Sequence, residues 1–459
     1  MGTVQSAFRA TIVYEALSEA DRDPAYVNLL SENQYLVLSA KSGSEKTEAD
    51  ILLIDCQHID RFRDIDAIAI RDLKQQYTNS ALMLITSPEC TGDLRLQLKK
   101  HGTLCTSGDR PELLLPRINR LLENLSLADE CGNRLKTMAS LNRHGKARSP
   151  LHTDTKPVRV LVTGPASVVL MRVMSSLEQE NFEVTAAISV PQTTRYLETH
   201  SFDALVVVPG GKGKIYASLI RLLRRNDRTD SLPIIVFSGI NLHGSGQPAY
   251  HYLKQGADTV LPENDIETSM LPEVRSFARR NRLTKSMRQF LRQSVHNETR
   301  PSQLICETEF FEHHLGRQCA TSRDTTRSLC LSAFRLRAQG EQVPARQTCK
   351  QALSYIDMVI KDTDLVTVIS DNLVLLSQPA TSIVDAEETR LKIVSLLQEI
   401  RFQSNFAGKA YEDLFVDAST VRYRLDEAPE EMIARALNTL EKSSRPIPQK
   451  PTPRLTVVH

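Results

Sequence analysis

The chain has 459 residues, of which 41% are hydrophobic and 24% are charged, and its formal net charge is +2. This composition is typical of folded globular domains, and the length allows about three of them. The balanced charge gives no support to nucleic-acid binding, and the lack of a long apolar run or a signal peptide predicts a cytoplasmic protein without an integral membrane segment.

The first predicted domain, residues 1–127, alternates strand and helix patterns. Alternation of this kind predicts a parallel sheet with helices on both faces. The polar, basic residues 128–156 contain Gly145 and Pro150, and they are predicted to be a linker. The strand candidates of the domain are Thr11–Val13, Tyr35–Leu38, Ile51–Ile54 and Leu82–Ile85, and its helical patterns include Arg71–Gln76 and Glu112–Leu125.

Residues 157–283 repeat this pattern and form the second predicted domain. Asp50–Asp55 can be laid on Asp203–Val208, and each of these runs is followed by a strand that ends in Thr86 or Ser238. An internal repeat of this kind indicates two copies of one fold. The other strand candidates of the repeat are Val158–Val162, Val184–Ile188 and Ile234–Phe237.

A long basic helix begins at Pro272, and residues 284–302 are predicted to be a solvated linker helix. The third predicted domain, residues 303–443, contains a hairpin in which two β-rich runs flank the polar turn Ser370–Asn372. The proline-containing tail, residues 444–459, is predicted to be disordered. Eight cysteines are scattered along the chain without a Cys-x-x-Cys pair, so we expect reduced core cysteines.

Each of the first two domains resembles a response-regulator receiver domain, which has the CheY-like (flavodoxin-like) doubly wound fold. In that family an aspartate at a strand end accepts a phosphoryl group, acidic residues hold Mg²⁺, and a hydroxyl and a lysine bind the phosphate. The resemblance implies Asp55 as phosphoacceptor candidate and Thr86 as the hydroxyl, with Glu15 and Asp55 as metal-binding candidates. Ser107 stands at the lysine position. The alternative is that Asp55 only caps its strand.

The second domain departs from the receiver pattern at the nucleophile, acidic and lysine positions. Val208 or Pro209 stands at the nucleophile position, Thr163–Pro165 supplies no acid, and Glu263 replaces the lysine. The resemblance therefore implies a degenerate receiver that serves dimerisation or docking. Gly210–Lys214 is similar to a phosphate-binding loop, but it lacks the Walker spacing and the Ser/Thr, and we expect a loop.

The third domain resembles a GGDEF domain, the α+β nucleotide-cyclase-like fold of diguanylate cyclases. Ile305–Glu312 and Ser328–Arg335 carry the resemblance outside the hairpin. The cyclase reaction needs carboxylates for two metal ions, and glycines that let the backbone approach phosphate and guanine. Here Ala333 and Arg335 replace the carboxylates, and Ser370–Asn372 replaces the Gly-Gly-Asp/Glu-Glu-Phe turn. We therefore expect a degenerate domain that is not an enzyme.

The GGDEF family binds its product, cyclic di-GMP, at an Arg-x-x-Asp just before the hairpin. Lys361 and Asp364 stand at these positions, and Arg390 lies early in the next helix. The resemblance implies cyclic di-GMP as the ligand of these three residues, although lysine lacks the planar fork of arginine. The alternative is an exposed charge pair at a helix end, worth at most about 1 kcal/mol.

Two receivers followed by a GGDEF domain make the PleD-type response-regulator architecture. The resemblance implies a non-catalytic effector in which cyclic di-GMP or phosphorylation controls the binding of protein partners. The implied partners are protease adaptors that serve ClpXP in cell-cycle control, a histidine kinase or phosphotransfer protein, and a second copy in a homodimer, with localisation at a cell pole. The alternatives are a scaffold without a ligand response and a residual diguanylate cyclase.

Overall fold

Two compact units make up the chain. The first, named here the paired-sheet unit, consists of residues 11–125 and 149–287, and the second, the C-terminal unit, consists of residues 1–10, 126–148 and 288–459. The computed structural model of the chain describes residues 9–17, 23–40, 49–59, 62–78, 80–86, 92–106, 111–141, 156–226, 228–238, 247–263, 270–295, 304–325, 327–338, 343–403 and 411–443.

The first sheet of the paired-sheet unit has five parallel strands in the order β2-β1-β3-β4-β5. This flavodoxin-like order confirms the predicted doubly wound fold. Most of β1, β3 and β4 is buried, which explains their continuous apolar sequence. The strands are β1 Thr11–Ala16, β2 Leu36–Leu38, β3 Ile51–Asp55, β4 Ala81–Thr86 and β5 Thr103–Thr106, and the helices are α1 Pro24–Glu32, α2 Asp64–Gln76, α3 Gly92–Lys99 and α4 Leu114–Ser140.

The second sheet repeats the first, since its parallel strands follow the order β7-β6-β8-β9-β10. The predicted internal repeat is therefore confirmed. Apolar cores lie on both faces of this sheet. The strands are β6 Arg159–Thr163, β7 Glu183–Ala187, β8 Ala204–Val207, β9 Ile234–Ser238 and β10 Thr259–Pro262, and the helices are α5 Val168–Gln179, α6 Val190–Thr199, α7 Gly213–Arg224, α8 Gln247–Lys254 and α9 Leu271–Ser294.

The C-terminal unit contains a mixed, mostly antiparallel sheet in the order β11-β13-β14-β12-β17 and a separate pair, β15-β16. This arrangement confirms the predicted α+β class and the β13–β14 hairpin. The strands are β11 Ile305–Cys306, β12 Leu329–Arg337, β13 Leu365–Ser370, β14 Leu373–Pro379, β15 Arg401–Gln403, β16 Tyr411–Asp413 and β17 Phe415–Arg422, and the helices are α10 Thr308–Thr325, α11 Arg346–Val359, α12 Ile383–Glu399 and α13 Pro429–Ser443.

The predicted linker at residues 128–156 is wrong over its first half, because α4 continues to Ser140. Leu127, Cys131 and Met138 are buried along one stripe of this helix, and their burial stabilises a segment whose composition is polar. Residues 142–155 lie outside the described part of the chain, as does the tail at 444–459.

Two further expectations need correction. The predicted linker helix is not mainly solvated where the structure describes it, since Met287, Phe290 and Leu291 are buried in α9, and residues 296–302 lie outside the described part of the chain. Gly210–Lys214 is not a loop but a 3₁₀ turn followed by the start of α7, whose buried face includes Ile220. The expectation of core cysteines holds for the seven that are described, all free and buried, while Cys90 lies outside the described residues.

Candidate functional site

Asp55 ends β3 at the carboxyl edge of the first sheet, and its side chain is buried. The Tyr14 hydroxyl donates to Asp55 Oδ2 at 2.9 Å. The Gln57 backbone N–H donates to Oδ1 at 3.0 Å, and the Gln57 side-chain amide donates to Oδ2 at 3.3 Å. Burial and the nearby Asp55 charge raise the pKa of Tyr14. Both carboxylate oxygens therefore already accept hydrogen bonds.

The other two candidates of the first sheet bond elsewhere. Glu15 Oε1 accepts a hydrogen bond from Ser39 Oγ at 2.7 Å and another from the Ala40 backbone N–H. Thr86 ends β4, the strand beside β3, and its hydroxyl donates to the Cys105 carbonyl at 3.5 Å. Asp55 and Thr86 thus lie on neighbouring strand ends, whereas the described hydrogen bonds of Glu15 are made with residues that directly follow β2. Ser107 lies outside the described residues.

These side chains do not fit a Mg²⁺ ion as they are placed. Mg²⁺ requires a near-octahedral set of oxygen ligands, usually one or two carboxylates with waters. The Asp55 oxygens instead face the donors of Tyr14 and Gln57, and Glu15 holds Ser39 and Ala40. In the part of the chain that the structure describes, no group of three or more His, Cys, Asp or Glu could hold a metal ion.

The carboxyl edge of the second sheet is closed by its own backbone. Gly164 lies directly against Val208, and a Cβ added at Gly164 would collide with the Val208 carbonyl oxygen. The Gly164 N–H donates to the Ala187 carbonyl at 3.1 Å, and the Val208 N–H donates to the Thr163 carbonyl at 2.7 Å. This packing leaves no room for a side chain at Gly164, and the strand registers place the preceding residue, Thr163, at the position that Glu15 has in the first sheet.

A buried charge joins the two sheets within the paired-sheet unit. Asp258 precedes β10, and Arg117 of α4 donates to its Oδ1 at 2.9 Å. Arg224 donates to its Oδ2 at 2.6 Å, and Arg120 of α4 also bonds the carboxylate. Burial alone would raise the pKa of Asp258, but the three guanidinium groups outweigh it and hold the pKa at about 2.

More polar contacts extend this junction between the sheets. Lys99 of α3 lies 2.9 Å from Glu273 of α9, and Arg95 of α3 donates to the Thr259 hydroxyl at 3.0 Å. The junction was not predicted from the sequence, because Arg117 and Arg120 lie more than a hundred residues along the chain from Asp258, and Lys99 lies as far from Glu273. The helices α3 and α4 of the first sheet are thus already in contact with Asp258, Thr259 and Glu273 of the second.

The hairpin of the C-terminal unit is bonded to its neighbouring strand at the turn. Asn372 Nδ2 donates to the Leu336 carbonyl at 3.1 Å, and the Leu336 N–H donates to the Asn372 carbonyl at 2.8 Å. Ala333 is fully buried on β12, and Arg337 of the same strand donates to Asp417 at 2.7 Å. The carboxylate of Asp417, on the strand beside β12, is therefore paired with a guanidinium.

Asp364 is fully buried before β13, and its carboxylate bonds backbone rather than a side-chain cation. The Lys361 N–H donates to Asp364 Oδ2 at 2.9 Å, and the Asp364 N–H donates to the Lys361 carbonyl at 3.0 Å. Burial raises the pKa of Asp364 to about 6. The Lys361 side chain is exposed and Arg390 is half-buried on α12. Only the two cations are thus accessible to a ligand.

A buried polar network in the C-terminal unit was missed in the sequence. Arg134 Nε donates to Glu130 Oε1 at 2.8 Å, and His314 Nε2 lies 2.6 Å from the same oxygen. Gln318 donates to Glu130 Oε2 at 3.1 Å, and Arg134 also donates to the Asp364 carbonyl at 3.2 Å. Burial would raise the pKa of Glu130, but these partners hold it at about 2. The i,i+4 spacing of Glu130 and Arg134 was the available signal.

No protein-family model matches the sequence, and no curated protein matches it. Among solved structures, the chain is similar to the GGDEF domain of DgcB from Caulobacter crescentus in complex with c-di-GMP, at 15% identity and a TM-score of 0.27, over 32% of this chain and 88% of that one.

Two receiver structures also match. One is a putative response regulator from Chloroflexus aurantiacus, at 20% identity and a TM-score of 0.23. The other is the receiver domain of the sensor histidine kinase PA1611 from Pseudomonas aeruginosa, with magnesium in its active-site cleft, at 18% identity and a TM-score of 0.24. Each covers 27% of this chain and 98% of the other. TM-scores this low carry no argument, so the fold class rests on the strand orders.

Proposed function

We propose that this chain is a non-catalytic signalling regulator of the receiver–receiver–GGDEF architecture, most similar to PopA, that recruits protein partners. The observation that carries this proposal is the state of the hairpin. Asn372 bonds Leu336 at the turn, Ala333 and Arg335 stand where the resemblance calls for metal-binding carboxylates, and Asp417 is paired with Arg337. Two-metal chemistry on a triphosphate requires free carboxylates at such a position.

Incubation of the purified chain with GTP and Mn²⁺ tests the catalytic part of this proposal. We expect no cyclic di-GMP by chromatography, while an active diguanylate cyclase under the same conditions serves as the control. Formation of the product, and its loss in Asp371→Asn, would contradict the proposal, because Asp371 is the exposed carboxylate of the turn.

Cyclic di-GMP is the first input of the proposed function, and the accessible cations of Lys361 and Arg390 favour it. Arginine and lysine bind phosphate, and an arginine also stacks on guanine. The burial of Asp364 argues for the alternative, a scaffold without a ligand response, since its carboxylate would have to be exposed before it could bind guanine.

Calorimetric titration with cyclic di-GMP separates these two candidates. An effector would bind in the micromolar range and lose at least about tenfold in affinity in Lys361→Ala and in Arg390→Ala, because each substitution removes a phosphate-binding cation. Lys392→Ala is the matched control, because Lys392 is an exposed cation on α12, the helix that carries Arg390. If the unmodified chain gives no heat of binding, the scaffold without a ligand response is the remaining function.

Phosphorylation of Asp55 is the second input of the proposed function, supplied by a histidine kinase or a phosphotransfer protein. The carboxylate would attack phosphorus only after Tyr14 and Gln57 release its oxygens. With acetyl phosphate and Mg²⁺, intact mass should show more acyl phosphate in Tyr14→Phe than in the unmodified chain, and none in Asp55→Asn. Equal labelling in all three proteins would exclude Asp55.

The resemblance to PopA extends the proposal to protease adaptors that serve ClpXP, to a homodimer and to a cell pole. In the described part of the chain, no helix is both long enough and apolar enough to span a membrane. A fluorescent fusion should form polar foci, and sedimentation equilibrium should show a dimer. Diffuse fluorescence or a monomer at high concentration would remove the corresponding part of the proposal.

A further inference from the structure

Four large apolar side chains are exposed at the carboxyl edge of the second sheet. The exposed fractions are 77% for Val168, 64% for Met171, 61% for Ile188 and 53% for Ile215, and these four are named the edge patch. Val168 and Met171 lie three residues apart on α5, so they share one helix face. Single exposed apolar residues are ordinary, but a cluster marks an interaction site.

Backbone contacts hold the three loops of the edge patch together. The Gly164 N–H bonds the Ala187 carbonyl at 3.1 Å, which joins the loops before α5 and α6. A Cβ added at Gly210 would lie 3.1 Å from Pro165 Cγ, and Gly164 contacts Val208, so the loop before α7 meets the loop before α5. Because parallel strands bring their following loops to one edge, the four side chains belong to one surface.

The charge around the edge patch has one sign. The three segments that carry it contain Arg172, Lys212 and Lys214 but no Asp or Glu, and both lysines are exposed. Exposed cations beside apolar side chains complement a partner with carboxylates beside its own apolar side chains. The segments are Gly164–Arg172, Ala187–Thr193 and Val208–Tyr216.

We propose that the edge patch binds an amphipathic helix of another protein, with apolar side chains along one face and Asp or Glu beside them. The inference rests on the proposed partner-recruiting function and adds the chemistry of the partner. A helix in an apolar groove uses anchors at i, i+3, i+4 and i+7. Three basic residues are fewer than the cluster of about four to eight that marks binding to anionic lipid, so the charge favours a protein over a membrane.

A designed peptide serves as the probe. It is a fluorescein-labelled helix with leucine at helical spacing and glutamate beside it, and a second peptide has lysine at every glutamate position. Fluorescence anisotropy with the full chain should show binding of the acidic peptide, weakened by salt because exposed charges are screened. Ile188→Glu and Ile215→Glu should each reduce affinity at least about tenfold, as expected for the loss of an apolar anchor.

Leu222→Glu is the matched control, because Leu222 is 57% exposed but lies in the last turn of α7, away from the carboxyl edge. It should bind the acidic peptide as the unmodified chain does. Equal affinity of the lysine peptide, or full binding by both patch variants, would overturn the proposal. So would an absence of acidic-peptide binding by the unmodified chain.

The same variants distinguish two other possible occupants of the edge patch, a membrane surface and a second copy of the chain. Binding to phosphatidylglycerol vesicles that Ile188→Glu and Ile215→Glu abolish, without peptide binding, would replace the proposal with a membrane surface. A dimer that the same substitutions dissociate would replace it with a second copy of the chain. The proposed function is tested separately by GTP turnover at the hairpin, which these substitutions leave untouched.

Discussion

The carboxyl edges of the two parallel sheets differ, although the order of their strands is the same. In the first sheet, β3 ends on Asp55, whose oxygens accept hydrogen bonds from Tyr14 and Gln57. In the second, Val208 follows β8 and packs against Gly164 too closely for a side chain there. A doubly wound sheet is built from its apolar strands and requires neither arrangement, so chemistry resides in the few residues just beyond the strand ends.

The first sheet has a buried polar group at its carboxyl edge, whereas the second has closely packed backbone there. A buried carboxylate destabilises the fold unless donors reach its oxygens, which is the state of Asp55. The second sheet has no carboxylate at this position and therefore needs no such donors. Apolar and basic side chains at its carboxyl edge face solvent. The same fold therefore holds a hydrogen-bonded carboxylate at the carboxyl edge of one sheet and exposed apolar side chains at the carboxyl edge of the other.

The largest expected effect comes from a substitution that breaks the polar junction around Asp258. Asp258→Ala leaves three partly buried guanidinium groups without their buried carboxylate, and it should lower the free energy of unfolding by about 3–5 kcal/mol in urea denaturation. Glu183→Ala removes only an exposed partner of Arg159 and should cost less than about 1 kcal/mol. Similar costs for both substitutions would show that the sheets are held by apolar packing.

The same carboxylate sets a pH dependence. The pKa of Asp258 is about 2 in the folded chain, below the value of about 3.9 for an unfolded aspartate, so its stabilisation is complete above pH 4 and is lost as the pH falls towards 2. A shift of this size corresponds to about 2–3 kcal/mol. Urea denaturation at several pH values should show this slope in the unmodified chain and a shallower one in Asp258→Asn. Parallel slopes would contradict it.

Gly164→Ala tests the closed edge of the second sheet. The added Cβ collides with the Val208 carbonyl, and overpacking of this kind costs about 1–3 kcal/mol in unfolding free energy. Gly211→Ala is the control, since a Cβ there meets nothing within 4 Å and should change stability by less than about 0.5 kcal/mol. If Gly164→Ala is as stable as Gly211→Ala, the backbone at Val208 moves to accommodate the Cβ without loss of stability. The carboxyl edge of the second sheet would then be less tightly packed than its contacts indicate.

Tyr14→Phe tests the hydrogen-bonded edge of the first sheet, with the smallest expected effect. It removes one donor to Asp55 and should cost about 1 kcal/mol in thermal or urea denaturation. Tyr196→Phe in the second sheet removes a half-exposed hydroxyl bonded to Gln192, and it should cost less. In addition, Asp55→Asn should lower the pKa of Tyr14, measured by tyrosinate absorbance, because it removes a neighbouring negative charge. An unchanged Tyr14 pKa would show that burial alone raises it.

Most of the fold could be predicted from local patterns. The apolar runs that became β3, β4, β8 and β9 are buried central strands, and the turn-forming Asp371 and Asn372 mark the hairpin correctly. The extension of α4 was missed because its polar composition indicates a linker, while its stability depends on partners such as His314, 184 residues along the chain from Glu130. No local pattern reports such a partner.

The candidate site could be predicted only in part. The pattern places Asp55 and Thr86 on neighbouring strand ends, where the structure has them. The role of Tyr14 depends on the distance between two side chains, which the alternation of a strand does not supply. Likewise, the spacing before the hairpin suggests an accessible Asp364, but the carboxylate turns inward to cap the Lys361 backbone. Whether a polar group faces solvent is decided by packing from distant segments.

The junction around Asp258 also has a consequence for how the paired-sheet unit responds to concentration. Both surfaces belong to one chain, so each meets the other at an effective concentration that dilution does not change, on the order of millimolar for flexibly joined partners. An external protein that binds either surface must first compete with this tethered neighbour. Such tethering raises the concentration at which a competitor is half-bound, and a substitution at Asp258 would lower that concentration without altering the competitor's own contacts.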